Sequence, residues 1–89
     1  MMGADVEMPR YKSHKTVWAL KIAKIASAWD GSWLITPVEE GYRPFKVDDE
    51  YMHKHKPQVG GYYVVYADGY ESWSPAQAFE EGYTREVER

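Results

Sequence analysis

The 89 residues include no cysteine, which excludes a disulfide framework, a thiolate metal site and a cysteine nucleophile, and suits a reducing compartment. No segment approaches the ~20 consecutive apolar residues of a membrane-spanning helix. The first residues, Met1-Met2-Gly3-Ala4-Asp5-Val6-Glu7, carry acids where a secretory signal needs a basic stretch and an apolar run, so the expected setting is the cytoplasm. Strong charge of either sign is lacking too. The net charge is −3, and the acidity is concentrated in residues 67–89, which hold two basic and six acidic side chains. Phenylalanine is scarce, with two residues against eight Tyr and four Trp. What the chain does have is amphipathic rings, which suit half-buried edges and interfaces better than a dry centre. A chain this short buries roughly 60–65% of its unfolded surface and supports one core. We therefore expect a loose arm over residues 1–9, one globular domain over 10–85 and a short tail over 86–89.

Residues 16–26, TVWALKIAKIA, fit two periodicities. Alternation aligns Trp18, Leu20 and Ile22, whereas helical spacing aligns Trp18, Ile22, Ile25 and Trp29. Frequent Val and Ile, the lack of a cap at the start and the following Asp30-Gly31 favour a strand that enters a hairpin with Trp33-Leu34-Ile35-Thr36. Residues 38–44 read as a loop and Phe45-Lys46-Val47 as a short extended segment. Asp48 is placed to cap a short helix with basic residues Lys54, His55 and Lys56 at its end and Pro57 as its stop.

The stretch GGYYVVYADGYESWSPAQAFEEGY, residues 60–83, reads as strand, turn, strand, cap, helix and stop. With Asp68-Gly69 as a two-residue turn, Tyr66 would face Glu71 and Val64 would face Trp73. Ser74, Pro75 and Gln77 form a capping pattern for a helix ending at Gly82, with Ala78 and Phe79 turned to the core and Tyr83 folding back. The pattern Asp-Gly, four residues, Ser/Thr-Pro, then Glu-Glu-Gly-Tyr occurs at residues 30–42 and again, three residues longer, at 68–83. Turn chemistry alone can produce it. The expected fold is a small α+β domain. It has a twisted, mainly antiparallel sheet of four or five short strands, with short helices at about 48–55 and 75–81.

The segments HKTVWALKI, GYRPFKVDDEYMHKHKP and GGYYVVYADGYESWSPAQAFEEGYT resemble a group of small proteins encoded in tailed bacteriophages and prophages of proteobacteria. The resemblance spans about residues 11–84. It implies a phage origin and a host-cytoplasmic setting, and it carries no catalytic residue with it.

Few patterns point to chemistry. His53 and His55 lie near Asp48, Asp49 and Glu50, but a helix aims two residues at i and i+2 apart, and Lys54 and Lys56 disfavour a cation, so no metal and no cofactor are expected. The adjacent acids read as a cap and a solvated face, Ser13-His14 lacks an orienting partner, and Gly60-Gly61 lacks the lysine of a phosphate loop, so an enzyme is the weakest reading. Nucleic-acid binding is the alternative, through Arg10, Lys12, Lys15, Lys21 and Lys24 with exposed Tyr and Trp rings as stacking platforms. The preferred expectation is a non-catalytic phage accessory protein that binds a host or phage protein, or a second copy of itself. Its expected surface is Tyr42, Tyr62, Tyr66, Tyr70, Trp73 and Tyr83.

Overall fold

In the computed structural model, which describes residues 17–83, the elements run β1 (Val17–Ser27), β2 (Trp33–Pro37), β3 (Phe45–Val47), α1 (Asp49–His55), β4 (Tyr62–Tyr66), β5 (Glu71–Ser74) and α2 (Ala76–Gly82). The strands form one antiparallel sheet in the order β3-β2-β1-β4-β5. This is the expected α+β class. The arm at 1–9 and the tail at 86–89 lie outside the described residues.

Segment 17–27 is a strand, and its double periodicity has a structural cause. The register on β2 shifts between Ile22 and Lys24, so that Ala23 is an extra residue on β1. Such a bulge resets the alternation. Ile22 and Ile25, three apart as on a helix face, therefore both turn inward: Ile22 is buried and Ile25 packs against the core. The bulge is also where β1 changes partners. Its first part pairs with β4 from Val17 to Lys21, and its second with β2 from Ile22 to Ser27.

One ring contact shows that the sheet curls. Phe45 on β3 and Tyr63 on β4 are three strand spacings apart in the sheet order, or about 14 Å if the sheet were flat, yet their ring centroids lie 4.6 Å apart. Inside the curl Ile22, Ile35, Val47 and Tyr51 are buried, with Trp33, Phe45, Met52, Tyr63 and Trp73 packed around them. Helix α1 plugs the open side. Asp48 caps it by accepting from the Tyr51 N–H at 2.8 Å, and the Tyr51 hydroxyl donates to the Ser72 carbonyl of β5 at 2.7 Å. The Trp33 Nε1–H donates to Asp49 at 3.2 Å and ties the same helix to β2. A five-stranded antiparallel barrel left partly open is the plan of OB-type domains.

Both Asp-Gly turns adopt one geometry, and it differs from the two-residue turn that the sequence suggests. Ala28 N–H donates to Ser32 O at 2.8 Å and Tyr66 N–H donates to Tyr70 O at 2.9 Å, which leaves three loop residues in each hairpin. Gly31 and Gly69 have φ of 91° and 92°, whereas Asp30 and Asp68 keep negative φ. A type I′ turn needs positive φ at both positions, so a three-residue loop forms instead. Each Asp accepts through Oδ1 from the backbone N–H two residues on, Ser32 and Tyr70, at 3.0 Å. The longer loop slips the expected register by one residue. Val65 faces Glu71, Val64 faces Ser72 and Tyr63 faces Trp73, so the Tyr66–Glu71 and Val64–Trp73 pairs are not formed. Because side chains alternate along a strand, the slip moves Trp73 to the inner face.

Helix α2 departs from expectation at both ends. Ser74 is the last residue of β5, and its hydroxyl donates to Pro75 O at 3.2 Å rather than capping the helix. Pro75 is the N-cap and Gln77 donates to Glu81 at 3.1 Å, so no capping box exists. Gly82 is the last helical residue rather than a left-handed stop, whereas Gly41 in the other Glu-Glu-Gly-Tyr segment has φ 96°. The two segments thus share their hairpin geometry and differ after it. Tyr83 does fold back, stacking on Phe79 with centroids 4.7 Å apart. No residue of α2 is buried. Phe79 packs on the outside of the sheet, and Ala78 is exposed.

Candidate interaction surface

The curl of the sheet divides the expected ring surface. Trp73 belongs to the interior: its indole lies on Gly61, and its Nε1 is buried with no hydrogen-bond partner among the described residues. Tyr63 is interior as well, where burial, then its hydroxyl bond to Glu71 and that carboxylate's charge, hold the phenol well above its ordinary pKa. Burial first and the Glu71 charge second do the same for Tyr51.

The rings that remain form two separate groups. Outside β4, Tyr62 stacks on Phe79 at 4.3 Å, and Phe79 stacks on Tyr83. The Tyr62 hydroxyl donates to Glu80 Oε2 at 2.8 Å, and Lys21 Nζ reaches the same oxygen at 3.5 Å. These contacts explain an acid near the C-terminal end of a helix, where the dipole disfavours it. The Tyr62 hydroxyl, and then Lys21, hold the Glu80 carboxyl below its ordinary pKa, while partial burial and Glu80 raise that of Tyr62. This group is chiefly the seat of α2.

The second group sits beside the β4–β5 turn. Tyr66 and Tyr70 stack at 6.1 Å, His55 meets Tyr70 edge-on at 5.8 Å, and Lys54 Nζ lies 5.0 Å from the Tyr70 centroid. Tyr70 is 43% exposed, and Tyr42, on the loop between β2 and β3, is 50% exposed. Two more exposed rings were not on the expected surface. Trp18 is 59% exposed and Trp29, first residue of the β1–β2 loop, is 96% exposed. A signal for Trp29 was available, since it directly precedes Asp30-Gly31 and a residue at a hairpin tip cannot turn into the core.

Of the expected basic set, only Lys21 and Lys24 are among the described residues. Arg10, Lys12 and Lys15 lie outside the described residues, Lys21 is engaged by Glu80, and Lys24 is exposed beside the bulge. On α1, His53 faces Asp49 at 3.2 Å while His55 packs at a tilt against Tyr51 with centroids 4.9 Å apart, so the two imidazoles point apart. Among the described residues, no group of three or more His, Cys, Asp or Glu side chains is gathered as a metal site requires.

No protein-family model and no curated protein matches the chain. The chain is similar to the monomeric form of the phage L decoration protein, solved in solution by NMR, with 32% identity and a TM-score of 0.60 over 76% of this chain. The matched region is 50% of that protein, so this chain spans about half its length. A phage protein is thus found where the sequence resemblance places the chain.

Proposed function

We propose that this chain is a non-catalytic accessory protein of a phage or prophage that coats the phage head by binding its capsid protein. The observation that carries this reading is the 32% identity to a phage decoration protein across 76% of the chain. The distribution of rings supports it. A small domain that leaves Trp18, Trp29, Tyr42 and Tyr70 exposed has the large amphipathic anchors that protein interfaces use. The chain would act in the host cytoplasm, where heads assemble.

The test is co-sedimentation of the purified protein with heads of the phage whose genome encodes it. Saturable pelleting at a fixed ratio to the capsid protein is expected, and protein left in the supernatant at micromolar concentration would refute the reading. The nucleic-acid alternative is separated by mobility with single- and double-stranded DNA. A shift there that weakens steeply with salt would favour it. Sedimentation of the protein alone reads self-association.

A further inference from the structure

We infer that Trp29, at the tip of the β1–β2 hairpin, is the anchor that inserts into an apolar pocket of the capsid protein. The inference rests on the head-binding reading and adds to it the contact residue and the chemistry of the site it enters. Trp29 is 96% exposed, more than any other exposed large apolar residue of the described chain. The turn does not require it. The β4–β5 hairpin builds the same three-residue loop, with the same Asp-to-backbone bond and a matching glycine φ, and carries Ala67 where the first loop carries Trp29.

The tip is also braced, and among the described residues the second hairpin lacks that brace. Asp30 Oδ1 accepts from the Ser32 N–H at 3.0 Å and the Ser32 hydroxyl at 2.6 Å, and Oδ2 accepts from Lys46 Nζ of β3 at 2.6 Å. An indole on a braced turn loses little backbone freedom when it docks, which favours its use as an anchor. The nearest charges define the occupant. Asp30 and Lys46 neutralise each other, so the tip offers one large apolar ring with a single N–H and almost no net charge. Its complement is an apolar, uncharged pocket containing one hydrogen-bond acceptor. Nucleic acid fits poorly, since the lysine at the tip is already paired and the neutral pair offers a phosphate no free positive charge. One indole beside a neutral ion pair is likewise a weak holder of a bilayer surface.

The test is titration of labelled protein onto purified heads, comparing wild type with Trp29→Ala, Trp29→Phe and Trp18→Ala. Trp29→Ala should weaken binding about 30-fold or more, as loss of a central aromatic anchor does. Trp29→Phe should recover much of that loss, and Trp18→Ala should stay within about threefold of wild type, as non-anchor contacts do. All variants should keep the wild-type unfolding midpoint within error. If wild type binds and Trp29→Ala binds equally well, the anchor assignment is wrong and head binding stands. Equal losses for Trp18→Ala and Trp29→Ala would also overturn it, since they indicate general stickiness. If wild type does not bind heads, both the anchor and the function fall.

Discussion

Replacing Gly61 by alanine tests whether the Trp73 ring is seated on the backbone at the start of β4. A Cβ at position 61 would lie 2.4 Å from Trp73 Cζ2, 2.5 Å from Nε1 and 2.6 Å from Cε2, against a carbon contact distance of about 3.5–4.0 Å. The ring would have to retreat by roughly 1 Å or more, into a core where Ile22, Ile35 and Tyr51 are already buried. Overpacking of this kind costs about 1–3 kcal/mol. Gly61 does not need a positive φ, so alanine brings no backbone strain and tightens the unfolded chain, a gain of about 0.4–1 kcal/mol. The net expectation is a loss of about 1–2 kcal/mol. At about 4–8 °C per kcal/mol for a domain of this size, that lowers Tm by roughly 5–15 °C. Urea unfolding followed by far-UV circular dichroism reads it directly. The decisive comparison is a double-mutant cycle with Trp73→Leu. Once the indole is gone, Gly61→Ala should be neutral or stabilising, so the coupling should equal the overpacking cost of about 1–3 kcal/mol. A Gly61→Ala protein as stable as wild type, or a coupling near zero, would refute the packing of Trp73 on Gly61.

Tyr51→Phe removes the hydroxyl that donates to Ser72 O at 2.7 Å and should cost about 0.5–1.5 kcal/mol in urea unfolding, the net worth of one hydrogen bond. Phe79→Ala should free α2, which buries no residue, so amide exchange over residues 76–82 should rise sharply while the β1–β4 amides stay protected; loss of protection throughout would show that α2 supports the core. Asp30 is held well below the ordinary carboxylate range, first by the Lys46 hydrogen bond and then by Ser32. A depressed folded pKa contributes stability that is complete above pH ~4 and is lost as pH falls below it. An acid titration of Asp30→Asn should therefore show a shallower decline than wild type. Tyr63 has the opposite sign, raised by burial and by Glu71. Its contribution is complete below pH ~10 and is lost as pH climbs past that value, so Tyr63→Phe should flatten the alkaline limb.

Local chemistry explains which elements could be read from the sequence. Asp48 as an N-cap, the short helix behind it and the two Asp-Gly hairpins are signals confined to a few neighbouring residues, and each is present. The features that differ from the sequence expectation depend on distances that a local pattern does not contain. Ala23 reads as an ordinary strand residue, and only pairing on two sides of β1 turns it into the bulge that places Ile22 and Ile25 on one face. The β4–β5 register hung on whether Asp68 would adopt positive φ. It makes an Asx bond to Tyr70 instead, and that one-residue difference moved Trp73 from the expected surface into the barrel. Ser74 lost its capping role for a similar reason: pairing with Tyr62 keeps it in β5.

The same distinction separates residues explained by the fold from residues left over. Tyr62, Tyr83 and Glu80 lie in a sequence block that looked like a binding surface, yet their contacts with one another and with Phe79 and Lys21 hold a peripheral helix in place. Trp73 and Tyr63 fill the barrel. The two hairpin tips supply an internal control for what is left. They share backbone geometry, Asx bond and glycine conformation, so any difference between them is unrelated to making the turn. The first differs in a nearly fully exposed Trp29 and in an Asp30–Lys46 brace beneath it. A turn that needs neither but has both is better explained by what it meets than by how it folds. That asymmetry, more than the number of rings in residues 60–83, directs attention to the opposite end of β1.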